Sequence, residues 1–218
     1  MKPAAAFLPA LILLSTLASA ASPPPPVLDA RGHPVHSGTL YNILPAAADA
    51  AHHGGGLTLD VIANHSYAAC KLGVFQDGNP SSPGLPVKIF LAGGEEVRGP
   101  SSVPTATEVN IQFAASSTCA RSTVWKIGRF DRDAKTWFVV DGGERASTPD
   151  LRSPAQSLFK IVKVAVVGEG KNHQVLFKIV FCPSAACKDV GIFVDGKTGY
   201  RRLALVDHGP LLVQFKKA

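Results

Sequence analysis

Short runs rich in valine, isoleucine and phenylalanine recur along the chain, each closed by glycine, aspartate, asparagine or proline. The clearest are Val87–Leu91, Val109–Phe113, Thr136–Val140, Val175–Val180, Ile192–Val194 and Leu211–Phe215. Several alternate, as in Val87-Lys88-Ile89 and Val109-Asn110-Ile111, which sets one packed and one wet face on a pleated strand. Turn chemistry falls between them at Asp77-Gly78, Gly93-Gly94, Asp141-Gly142-Gly143, Asp195-Gly196 and Gly209-Pro210. No long segment beyond the first 20 residues has helical periodicity. The pattern predicts an all-β protein built as an antiparallel sandwich or barrel. With no clear threefold repeat in the sequence, pattern alone does not choose between the two.

Residues 1–20 read differently. Lys2 precedes an apolar run from Phe7 to Leu17, and Ala18-Ser19-Ala20 supplies the small residues a signal peptidase accepts. The run falls short of the roughly 20 residues that span a bilayer, and Pro23 to Pro26 follow at once. The expectation is a cleaved signal peptide, a secreted chain of residues 21–218 forming one domain, and no membrane partner.

Export makes the cysteines Cys70, Cys119, Cys182 and Cys187 candidates for two disulfides, with three connectivities open on sequence alone. Close spacing favours Cys182 with Cys187, which leaves Cys70 with Cys119. The same short spacing suits half of a zinc site, but no second cysteine or histidine pair sits at ligand spacing, so no metal or other cofactor is expected. Asn64-His65-Ser66 is a glycosylation sequon, with Asn64 the acceptor.

Charge narrows the partners. Once Lys2 leaves with the leader, 21 basic residues face 16 acidic ones, a balance of +5. These charges are scattered, with only the short pairs Arg201-Arg202 and Lys216-Lys217, so the concentrated footprint of a nucleic-acid binder is missing. Arg129-Phe130-Asp131-Arg132-Asp133 reads as a solvated hairpin turn or a contact ridge. For catalysis, no G-x-S-x-G elbow, H-E-x-x-H or P-loop occurs, and Gly54-Gly55-Gly56 lacks the Lys-Ser/Thr and helix that phosphate binding requires. His33, His36, His52 and His53 stand at poor ligand spacing. No catalytic role is expected.

The segment Val27 to Leu44 carries the most specific signal. Val27-Leu28-Asp29, Gly32, Val35, Tyr41 and Ile43 resemble the opening signature of plant Kunitz-type inhibitors, the soybean trypsin inhibitor family. Gly54-Gly55-Gly56-Leu57-Thr58 looks like the following loop and strand of cereal members that inhibit α-amylase and subtilisin. Cys119 with Ser122-Thr123-Val124-Trp125, the stretch Phe181–Phe193, Arg201-Arg202-Leu203 and Pro210–Lys217 resemble later parts of the same family. The resemblance spans nearly the whole mature chain and implies a β-trefoil of about twelve strands.

Family members present a rigid, substrate-like loop to a serine protease, and a preformed loop loses little conformational entropy on docking. By resemblance that loop follows Val87–Leu91 and contains Gly93, Gly94, Glu95, Glu96, Val97 and Arg98. Trypsin inhibitors carry arginine or lysine at its centre to meet an acidic specificity pocket. Here Gly94, Glu95 or Glu96 falls there, and Arg98 reaches the position only if the loop shifts. Ser37 aligns with the asparagine that props the loop from inside, and a hydroxyl offers fewer hydrogen bonds than an amide. The implied partners are therefore serine proteases, subtilisin-type ahead of trypsin-type, with α-amylase a second target and a monomer the default state. The other reading is a non-inhibitory storage, defence or carbohydrate-binding protein on the same fold.

Overall fold

The computed structural model describes residues 22–46, 53–62, 71–93, 101–116, 119, 121–145, 155–168, 174–184 and 186–218. They form twelve strands and one short 3-10 turn, Ala155–Ser157. The strands are β1 (Leu40–Pro45), β2 (Leu57–Val61), β3 (Leu72–Gln76), β4 (Val87–Leu91), β5 (Glu108–Phe113), β6 (Lys126–Asp131), β7 (Thr136–Val140), β8 (Phe159–Val167), β9 (Gln174–Phe181), β10 (Lys188–Val194), β11 (Arg201–Val206) and β12 (Leu212–Lys217). The all-β expectation holds, and the runs Val87–Leu91 and Thr136–Val140 are strands over those residues.

Six strands close a ring. In order around it, β1 pairs with β4, β4 with β5, β5 with β8, β8 with β9, β9 with β12, and β12 with β1, all antiparallel. A closed ring leaves no free edge. Each ring strand turns residues at i and i+2 into the core: Tyr41 and Ile43, Val87 and Ile89, Val109 and Ile111, Phe159 and Ile161, Phe177 and Ile179, Val213 and Phe215, with Phe113 of β5 and Phe181 of β9 continuing the series at i+4. That spacing is the period of a pleated strand, so the interior is filled by stacked side chains rather than left as a channel.

The other six strands form three hairpins, β2–β3, β6–β7 and β10–β11. Their inner strands meet one another, through Gly73 opposite Val140, Ala204 opposite Phe138 and Arg202 opposite Phe75. Leu57, Ile127, Val139, Leu203 and Leu205 extend the core from the ring into this cap. Trp125, fully buried before β6, packs against Phe113 and Phe159 of the ring. Cap and ring thus share one apolar interior.

The Cys182–Cys187 disulfide forms as the spacing suggested, closing the turn between β9 and β10. Cys119 is among the described residues and no described cysteine is free; Cys70 lies outside them.

Candidate functional site

The segment that opens the domain folds into a hairpin of its own. The Asp29 carboxylate accepts the amide hydrogens of Arg31 at 2.8 Å and His33 at 2.9 Å, and Gly32 takes the positive φ that the tight turn needs. The hairpin brings the Val35 amide to the Val27 carbonyl at 2.8 Å. Val103 then adds to it, accepting from Val27 and donating to Val35, each at 2.8 Å. All three valines are fully buried. Tyr41 ties this layer to the ring, its side chain in the core and its hydroxyl accepting the His36 amide at 3.1 Å. The Asp-Gly-Tyr spacing is therefore a structural device: a turn, its cap and an anchor.

The device ends on both sides of the predicted inhibitory segment. Ser37 donates its amide to the Ser101 carbonyl at 2.9 Å, and Gly38 donates to Ile89 of β4 at 2.8 Å. Adjacent residues thus hold the strand that enters the segment and the chain that leaves it at Ser101. On the entering side, Ala92 also donates to Glu108 at 2.9 Å, and Gly93 turns the chain with φ +69°. Gly94, Glu95, Glu96, Val97 and Arg98 lie outside the described residues, as does Asn64. The described contact of Ser37 is this backbone bond to Ser101, not a side-chain one.

The remaining sequence features resolve into structure. Gly56 is buried beneath the 77–84 loop, where an added Cβ would stand 2.1 Å from the Pro83 carbonyl oxygen. Gly55 and Gly56 thus pack backbone against backbone, while Gly54 lies against the Gln76 side chain. Residues Arg129 to Asp133 run from β6 into its hairpin turn, where the Asp131 carboxylate accepts the amides of Asp133 and Ala134, both at 3.0 Å. Phe130 and Trp137 face each other across that hairpin with ring centroids 4.7 Å apart, partly exposed.

Arg201 and Arg202 point to opposite faces of β11. Arg201 donates from Nε to Gln76 at 2.9 Å. The Arg202 guanidinium lies 3.5 Å from the centre of the Phe138 ring and 5.8 Å from that of Phe75. Burial pulls its pKa below the usual range, and the charges of Asp131 and Asp195 offset part of that effect. Arg202 thus closes over a small aromatic cluster on the cap.

Comparison with known proteins agrees with this architecture. The legume Kunitz family model, described as trypsin and protease inhibitor, matches residues 27–217. Miraculin from Synsepalum dulcificum is 35% identical over 210 residues, covering 92% of this chain and 87% of its own. The solved structure of the bifunctional α-amylase/subtilisin inhibitor of rice, Oryza sativa, superposes with a TM-score of 0.62 at 30% identity, covering 89% of this chain and 99% of that one. The water-soluble chlorophyll protein of Brassica oleracea var. Botrytis, solved with chlorophyll b, superposes with a TM-score of 0.64 at 28% identity and the same coverage. The chain belongs to the legume Kunitz family of trypsin and protease inhibitors.

Proposed function

We propose that the chain is a secreted β-trefoil inhibitor of hydrolases that acts on a serine-type endopeptidase through the segment between β4 and Ser101. The observation that carries this reading is the double clamp: Ser37 on the Ser101 carbonyl and Gly38 on the Ile89 carbonyl. Anchored stems limit the conformations of whatever lies between them, so less entropy is lost on docking. The same restraint holds the two ends of a cleaved bond near each other and favours its resealing. Family membership and the rice inhibitor support the inhibitor class.

Target choice follows from charge. Glu95 and Glu96 are repelled by an acidic specificity pocket, whereas subtilisin-type sites tolerate varied residues at the cleaved position. Subtilisin-type proteases are therefore the first target and trypsin-type the second, with α-amylase bound through another surface. Leader removal after Ala20, a Cys70–Cys119 disulfide, a glycan on Asn64 and a monomeric state belong to the same proposal.

Limited digestion of the refolded protein with subtilisin tests it. A single cut within residues 93–98, or none, with the rest of the chain intact, supports the reading; progressive degradation starting in that segment overturns it. The similarity to a chlorophyll-bearing protein supports a second reading, a non-inhibitory member of the family, for which storage, defence or carbohydrate binding is the sequence expectation.

A further inference from the structure

On β4 the core residues Val87 and Ile89 alternate with Lys88 and Phe90, which face outward. Lys88 stands opposite Gln112 of β5, so the two side chains lie side by side on the outer surface of the ring. Beside them is an open cleft of about 350 Å3, whose lining includes Lys88, Phe90, Gln112, Ser116, Thr123 and Arg145. That volume falls at the lower end of the range of small-molecule sites.

Two cations, Lys88 and Arg145, line the cleft. The Arg145 guanidinium sits 4.2 Å from the centre of the Phe90 ring. Contact with the ring commits no N–H donor to an acceptor among the described residues, so the guanidinium donors are available to an oxyanion. Three other lysines of the described surface have carboxylate partners, Lys160 with Glu108, Lys178 with Asp189 and Lys188 with Asp207. Among the described residues no carboxylate makes such a pair with Lys88 or Arg145. The Thr123 hydroxyl is committed to the Phe113 carbonyl at 2.7 Å, which leaves Gln112 and Ser116 as the neutral polar groups of the cleft.

We infer that this cleft binds a phosphate or sulfate ester, with the oxyanion between Lys88 and Arg145 and the ester's organic part along Gln112 and Ser116. Two cations facing one cleft favour a compact oxyanion over a neutral ligand, and charge-assisted hydrogen bonds supply the affinity. The cleft lies on the outer face of β4, so this inference stands whether or not the inhibitory reading does.

Calorimetric titration of the refolded protein with glucose 6-phosphate, glucose 6-sulfate and glucose, at a fixed ionic strength of about 0.15 M, tests it. The expected result is saturable one-to-one binding of an ester and none of glucose; the ester bound more tightly identifies the source of the oxyanion. Lys88→Gln and Arg145→Gln should each weaken that binding at least about tenfold without changing the circular dichroism spectrum. Amide shifts on ester addition should centre on Lys88, Gln112 and Ser116, a readout that needs no variant. Glucose binding as well as its esters, no saturable binding of either ester, or shifts centred elsewhere would overturn the assignment.

Discussion

The Ser37 amide donates to the Ser101 carbonyl at 2.9 Å, joining the end of the N-terminal hairpin to the first described residue after the predicted inhibitory segment. One residue later the Gly38 amide reaches Ile89 on the entering strand. The spacing between the two stems is therefore set by a peptide unit, which is stiffer than any side-chain contact.

Gly38 is where this clamp is most sensitive. Its φ is +75°, and an added Cβ would meet only the Phe90 ring at 3.8 Å, an ordinary contact. Gly38→Ala should cost about 1 kcal/mol from backbone strain alone, and should speed cleavage between residues 93 and 100. Gly78→Ala, where a Cβ meets nothing within 4 Å, should stay within about 0.5 kcal/mol of the parent. Urea unfolding and timed proteolysis of both variants check the pair.

Arg202 covers the Phe138 ring at 3.5 Å with a half-buried guanidinium. Arg202→Ala uncovers the ring and removes both the stacking and the aliphatic packing, an expected loss of about 2 kcal/mol. Arg202→Lys, which keeps the charge but not the planar face, should fall between Ala and the parent. Exposed Lys216→Ala should move stability by less than about 0.5 kcal/mol. Unfolding midpoints of the three variants give the order.

The Cys182–Cys187 bond closes a short loop, with a sequence separation of 5. The chain-entropy argument gives about 2 kcal/mol for a loop of that length. Replacing both cysteines by serine should lower stability by about that amount in denaturant titrations and leave the strand content measured by circular dichroism unchanged.

Burial raises the pKa of Asp141 above its ordinary value, with the Leu72 backbone and the Lys126 charge opposing the shift. A carboxylate whose folded pKa is raised costs stability once ionised, so that cost is absent below pH 3.8 and grows as the pH rises through the folded pKa. Asp141→Asn removes the ionisation. Relative to the parent, the variant should therefore be more stable at neutral pH than at about pH 3, as urea unfolding at the two pH values would show. A stability difference independent of pH would contradict the assignment.

Much of the ring was legible because its strands alternate. Val87 and Ile89 face the core while Lys88 and Phe90 face out, and the period of two is plain in the residues themselves. β3 was harder to see because every residue from Leu72 to Gln76 is buried, so no alternation marks it. β11 begins with Arg201 and Arg202, which look like a surface pair until Gln76 and Phe138 are brought against them from distant parts of the chain. Ser37 was found through resemblance, yet its described contact is a backbone bond, to which its side-chain chemistry gives no clue. Lys88 and Arg145 meet at one cleft only through the tertiary fold, so no local pattern reveals the site.

Tight-binding titration of subtilisin, trypsin and cereal α-amylase with the refolded protein tests the inhibitory account most directly. The account predicts loss of subtilisin activity at one equivalent, and no such loss with a variant in which Gly93–Arg98 are replaced by a glycine-serine linker. Full activity of all three enzymes in the presence of excess folded protein would contradict it.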